Sequence, residues 1–155
     1  MTTVSPELQR ALDSSCATGV DELLQARRPE DLEALRALVS LDPGIDPSWR
    51  QNAIYLLGRF GDTGAAGQIL GLLPRLDERE RINAVTALGQ IGTDEAIDGV
   101  LNATRDPSPD VRRFAAYALA RADTPTARER LDDLASSDPV EFVRDAAVQA
   151  RGASP

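Results

Sequence analysis

The sequence has no histidine and no lysine, one cysteine, and only one Trp, two Tyr and three Phe in 155 residues. Each shortage removes a kind of chemistry. Without histidine, the commonest general base and metal ligand is missing. Without lysine there is no Walker-type phosphate loop and no Schiff-base amine. A single thiol, Cys16, builds neither an internal disulfide nor a thiolate zinc site and fits a reducing cytosol. The opening "MTTVSPELQR" lacks a basic stretch followed by an apolar run, so no signal peptide is expected. No apolar run approaches the ~20 residues that span a bilayer. What remains is carboxylates, hydroxyls, one thiol and arginine. The expectation is a cytoplasmic protein that is not an enzyme and holds no cofactor or metal.

Charge narrows the partners. All 17 basic residues are arginine, yet the formal net charge is −8 and the sequence pI about 4.5. A field of that sign opposes nucleic acids and anionic membrane surfaces. Hydrophobic residues make up 42% of the chain, and with so few aromatics the core must be Ala, Leu, Val and Ile. Such a core suits helices packed closely through small side chains.

The chain also repeats itself. "RQNAIYLLGRFG", "RINAVTALGQIG" and "RRFAAYALARAD" begin at Arg50, Arg81 and Arg112, 31 residues apart, and "VRDAAVQARGA" follows after a spacing of 32. Taking the residue before each arginine as an anchor gives Trp49, Glu80, Val111 and Val143. Apolar residues recur four and eight places later, as in Ala53 and Leu57 or Ala84 and Leu88, which is helical periodicity. In the fourth copy the leucine place holds Arg151, so that helix is solvated at its end.

Start signals precede the copies. Asp46-Pro47 and Ser108-Pro109 read as an N-cap followed by proline in the first turn, and Asp138-Pro139 is expected to start the fourth copy. Asp77 with Glu80 reads as a capping box. Between these helices lie others at about 30–41, 63–75, 94–105 and 124–136, with Thr63, Thr93 and Thr124 as expected N-caps. Gly61 and Gly92 stand where left-handed C-caps are wanted. The organisation expected is one structural domain: a helical cap at 1–29 containing Cys16, then an array at 30–153 made of pairs 30–61, 63–92, 94–122 and 124–153. A pair of ~30 residues cannot bury its apolar face alone, so neighbours must stack.

These copies resemble the HEAT repeats, particularly the short bacterial type related to phycobilisome-lyase repeats. The resemblance rests most on "DPSPDVRRFAAYALARA" and "DPVEFVRDAAVQARG" and covers roughly residues 30–153. It implies an all-α fold, a right-handed α-solenoid of about four helix pairs. It also implies that the repeated arginines, Arg50, Arg81, Arg112 and Arg144, pair with aspartates of the turns. Asp46, Asp77, Asp106, Asp110 and Asp138 stand near those turns.

Function is expected where the copies diverge on the second helix of each pair, which lines the concave face in this family. The places two, three, six and ten after the anchor share one side of a helix. They hold Gln51, Asn52, Tyr55 and Arg59, then Ile82, Asn83, Thr86 and Gln90, then Arg113, Phe114, Tyr117 and Arg121, and finally Asp145, Ala146 and Gln149. Aromatics and arginines gather here in an acidic protein, and both are enriched at protein–protein hot spots. The competing reading is that the rings shield small alanines of the core.

The expectation is a non-enzymatic adaptor that holds a protein or peptide across this face, with an acidic partner segment matching the arginines. The protein is expected to be a monomer or weak oligomer. Two alternatives follow from the resemblance: an enzyme or enzyme subunit similar to the bilin lyases and isomerases, and a nucleic-acid binder, which the acidic charge disfavours.

Overall fold

The computed structural model describes residues 5–13 and 20–153; Cys16 and part of the expected cap lie outside them. Among the described residues all regular structure is helical. The helices are α1 (Pro6–Asp13), α2 (Val20–Ala26), α3 (Pro29–Leu38), α4 (Pro47–Phe60), α5 (Ala66–Leu72), α6 (Glu78–Ile91), α7 (Asp94–Ala103), α8 (Pro109–Leu119), α9 (Pro125–Ser137) and α10 (Glu141–Gly152). Two 3₁₀ turns, Thr63–Ala65 and Leu73–Arg75, extend α5 at its ends.

Local chemistry sets most boundaries. Asp46, Thr93 and Thr124 each accept a backbone N–H in the first turn of α4, α7 and α9. Asp77 and Glu80 form a complete capping box at α6, and Ser108 caps α8. Gly61 and Gly92 end α4 and α6 with φ of 62° and 71°, a conformation glycine adopts without steric cost. Asp123, 31 residues beyond Gly92, holds the same left-handed region at φ 42°.

Two expected caps are corrected. Thr63 caps nothing; it opens the 3₁₀ turn, and α5 begins at Ala66 without a side-chain cap. Asp138 does not start the fourth repeat's second helix. It ends α9, and α10 begins at Glu141 with Val140 as an uncapped N-cap. The reason is that the Asp138 carboxylate is already engaged with the Arg112 guanidinium and the Val140 N–H.

The helices form a two-layer α-solenoid. α4, α6, α8 and α10 pack directly on one another, whereas among the first helices of the pairs α5 and α7 touch only lightly. The second helices therefore form the more closely packed layer, the one that the resemblance places on the concave face. Ala53, Leu57, Ala84, Leu88, Ala115 and Leu119 are fully buried along this layer. Glycine sets its closeness: a Cβ on Gly58 would stand 2.7 Å from the Ala87 Cα, and one on Gly89 would stand 2.6 Å from the Ala118 Cβ. Both glycines occupy the ninth place after the anchor, where the third copy has Ala120. α1 packs on α4 and extends the core at the N-terminal end.

Candidate functional site: the concave face

Most of the repeated arginines are committed to holding the layers together. Arg81 donates from Nε to Asp106 Oδ2 at 2.9 Å and from Nη2 to Oδ1 at 3.1 Å. Arg112 repeats this on Asp138 at 2.8 and 3.1 Å. Hydrogen bonding to those carboxylates raises both guanidinium pKa values further above an already high starting point. Arg50 differs, because its partner is Glu80 on the next repeat rather than a turn aspartate. Glu80 stands where the other anchors are Trp49, Val111 and Val143, and its second oxygen accepts the Asp77 N–H. Arg144 has no carboxylate within ion-pair distance among the described residues; its Nη1 donates to the Asp138 carbonyl oxygen at 2.7 Å.

The remaining turn aspartates are used locally. Asp46 bonds Ser48, Asp77 caps α6, and Asp110 pairs with Arg113 one turn along α8. One further rung escaped the repeat alignment. Arg36 on α3 grips Asp62 with Nε 2.7 Å from Oδ2, because the first helix of that pair, rather than the second, supplies the arginine.

The stripe residues fall into three groups. Asn52 is spent, its Nδ2 donating to the Leu12 carbonyl at 2.7 Å and fastening α1 to α4; Asn83 makes no equivalent bond among the described residues. Thr86 returns its hydroxyl to the Ile82 carbonyl, so it offers a methyl to the surface. Ile82 packs against the core and Ala146 is buried.

The second group is half-buried scaffolding. The Arg113 guanidinium lies 5.1 Å from the Phe114 ring centroid and 5.4 Å from that of Phe142 on α10. Its Nε is buried without a hydrogen-bond partner. Arg113 therefore bridges α8 and α10, and it is less available to a partner than its position in the repeat implies.

The third group is open. Tyr55 and Tyr117 are about two-fifths exposed. Arg59 and Arg121 are exposed, and neither meets a carboxylate within ion-pair distance among the described residues. Arg59 leans on Tyr55, donating from Nη1 to the phenol oxygen at 2.8 Å with its guanidinium 5.8 Å from the ring centroid. Tyr117 meets the Phe114 ring edge-on at 6.3 Å and donates to Gln149 Oε1 at 3.3 Å. Between α6 and α8 lies a cavity of about 240 Å3 lined by Thr86, Gln90, Phe114, Tyr117, Ala118 and Arg121. That is below the ~300 Å3 at which small-molecule pockets usually begin, and closer to the room one side chain needs.

A larger cavity of about 480 Å3 lies between α7 and α9 on the other layer, with Asp98, Arg105, Glu129, Arg130 and Asp133 in its wall. Arg130 is engaged there with Thr104 through Nε to Oγ1 at 2.6 Å. Burial lowers its pKa, and repulsion from Arg105 adds to that. Among the described residues no three acidic or thiol groups gather to hold a metal ion, and no helix is long and apolar enough to cross a membrane.

A family model for HEAT repeats matches residues 68–151, more than half of the chain. No curated protein matches it. Similar solved structures include a chain from the complex of CpcE and CpcF of phycocyanin lyase from Nostoc sp. PCC7120. It is 21% identical, with 97% of this chain and 78% of that one covered at a TM-score of 0.49. They also include a designed armadillo repeat protein, 18% identical, with 97% and 99% covered at a TM-score of 0.34.

Proposed function

The chain belongs to the HEAT-repeat family, and within that scaffold we propose a non-enzymatic interaction module that holds a protein or peptide partner across its second-helix face. The observation that carries this reading is the pair of exposed arginines, Arg59 and Arg121, standing beside exposed Tyr55 and Tyr117 on one side of an otherwise acidic molecule. Arginines not tied to an intramolecular carboxylate are left to an external one. Tyrosine adds large contact area with a polar tip and little entropy to lose. An acidic partner segment complements them, and its encounter with this face weakens as salt is added.

The face suits binding better than catalysis. Its titratable groups are arginines, tyrosines and the lone acid Asp145, and among the described residues no carboxylate pair sits in an enclosed site there.

The test is affinity capture from lysate of the source cells with two baits. One is the wild type; the other carries Tyr55→Ala, Arg59→Glu and Tyr117→Ala, all at exposed positions, and is checked for helicity by circular dichroism. A protein retained by the wild type and lost from the variant is the expected result. Equal retention by both baits, or nothing retained by either, would remove the proposal.

A further inference from the structure

Arg59, Gln90 and Arg121 occupy the same place in three successive repeats, 31 residues apart. Arg59 lies on α4, Gln90 on α6 and Arg121 two residues past the end of α8, so they form one row running across the second-helix layer rather than along any one helix. The two ends of the row are exposed guanidiniums that meet no carboxylate within ion-pair distance among the described residues. The middle is a carboxamide whose Oε1 is buried against Gly58, where a Cβ would come within 2.8 Å of it. That leaves the Nε2 end toward the surface. Beside it, toward Arg121, opens the cavity walled by the Phe114 and Tyr117 rings and the Thr86 methyl.

We infer that the partner segment crosses this row in extended form, presenting two carboxylates four residues apart to Arg59 and Arg121 and, midway, an apolar side chain to the cavity between α6 and α8. The inference rests on the partner-binding reading above and adds the chemistry of the segment.

The spacing follows from geometry. Packed helices lie 8–10 Å apart, and the glycine contacts at Gly58 and Gly89 hold these crossings at the near end of that range. Two crossings therefore separate the ends of the row by about 16 Å. Side chains of an extended segment share a face every second residue, at about 3.3 Å per residue. Four residues cover roughly 13 Å on that count, and the flexible arginine side chains take up the difference. The residue halfway falls over α6, next to the cavity. Carboxylates fit better than phosphates because Arg59 and Arg121 stand two helix crossings apart, with Gln90 rather than an arginine between them, whereas phosphate recognition gathers arginines in clusters.

The test uses a fluorescein-labelled peptide amide, Gly-Glu-Ser-Leu-Ser-Glu-Gly, and an isomer of the same composition with the acids adjacent, Gly-Glu-Glu-Leu-Ser-Ser-Gly. Binding is read by fluorescence anisotropy against the wild type, Arg59→Gln and Arg121→Gln, all verified helical. The spaced peptide is expected to bind at least tenfold tighter than its isomer. Each arginine variant is expected to lose about that advantage. Changing either glutamate to glutamine should then weaken binding to the wild type but have no further effect on one arginine variant, a different one for each glutamate.

Equal binding of the two peptides, indifference to both arginine variants, or no binding of the spaced peptide up to millimolar concentration would each overturn the inference. If the lysate partner is still lost from the triple variant described above, only the recognition pattern has failed. If that capture fails as well, the binding reading goes with it.

Discussion

Arg50 donates from Nε to Glu80 Oε1 at 3.2 Å, joining α4 to α6 through two side chains that are 10% and 9% exposed. Glu80 spends its other oxygen on the Asp77 N–H, so one carboxylate both starts a helix and fastens it to its neighbour. A buried pair of this kind is costly to break and cheap to replace whole, because desolvation penalises the lone survivor.

Arg50→Met should therefore lower the unfolding free energy by about 3 kcal/mol, leaving Glu80 buried and unpaired. The double variant Arg50→Met, Glu80→Val installs the aliphatic anchor of the third and fourth copies and should recover most of that loss. Urea denaturation of both variants checks this. A loss below ~1 kcal/mol for the single variant, the level of an exposed ion pair, would show that the pair is not buried in solution.

Two glycines predict opposite signs. Gly89→Ala must push α6 from α8, since its Cβ would lie 2.6 Å from the Ala118 Cβ and 3.1 Å from its Cα; a loss of about 1–3 kcal/mol is expected for such overpacking. Gly71→Ala on α5 meets nothing within 4 Å and should gain about 0.5–1 kcal/mol from helix propensity. Thermal melts of the two variants should move in opposite directions.

Asp138 governs an acid-sensitive joint. Burial by itself raises its carboxyl pKa, but the hydrogen bonds from Arg112 and the Val140 N–H, with the charges of Arg112 and Arg144, outweigh this and hold it below the ordinary aspartate value. A depressed folded-state pKa contributes stability that is present above the unfolded value of about 3.9 and is lost as pH falls through the folded one. The wild type should accordingly lose stability below about pH 4, and Asp138→Asn should be less stable at neutral pH with a flatter acid limb. An acid limb of unchanged slope in this variant would assign the sensitivity to other carboxylates.

The two arginines of α8 and its end should separate in a stability assay. Arg113→Ala removes the contact to Phe114 and Phe142 and is expected to cost about 1–2 kcal/mol. Arg121→Gln, exposed and with no ion pair among the described residues, should stay within about 0.5 kcal/mol of the wild type. A large loss for Arg121→Gln would mean that this side chain serves the fold and is not free for a partner.

The all-helical fold and the periodic core were legible because the repeat states its apolar places again and again. Ala53, Ala84 and Ala115 are buried alike, and caps such as Thr93 act within three residues of themselves. What depended on contacts between repeats was harder to read. Arg113 and Arg121 look equivalent as exposed-side arginines, yet only Arg113 has a phenylalanine of the next repeat beside it. The Phe142 ring that claims it lies 29 positions along the chain and is not on the periodic stripe. Asp138 looked like a cap because it precedes proline; its carboxylate was taken instead by Arg112, 26 residues earlier. Arg36 carried no repeat signal, since its partner Asp62 is reached from the other layer.

The inter-repeat arginine pairs share one more property. Arg36–Asp62, Arg50–Glu80, Arg81–Asp106 and Arg112–Asp138 join residues 26, 30, 25 and 26 positions apart. No rung among them reaches beyond the adjacent repeat, so the loop each one closes is short and of nearly constant length. Chains built from such local closures start folding at any point and spread outward, with little entropic delay. Unfolding retraces this from the ends, which makes the outermost rungs the first to open in hydrogen exchange and the α6–α8 joint the last.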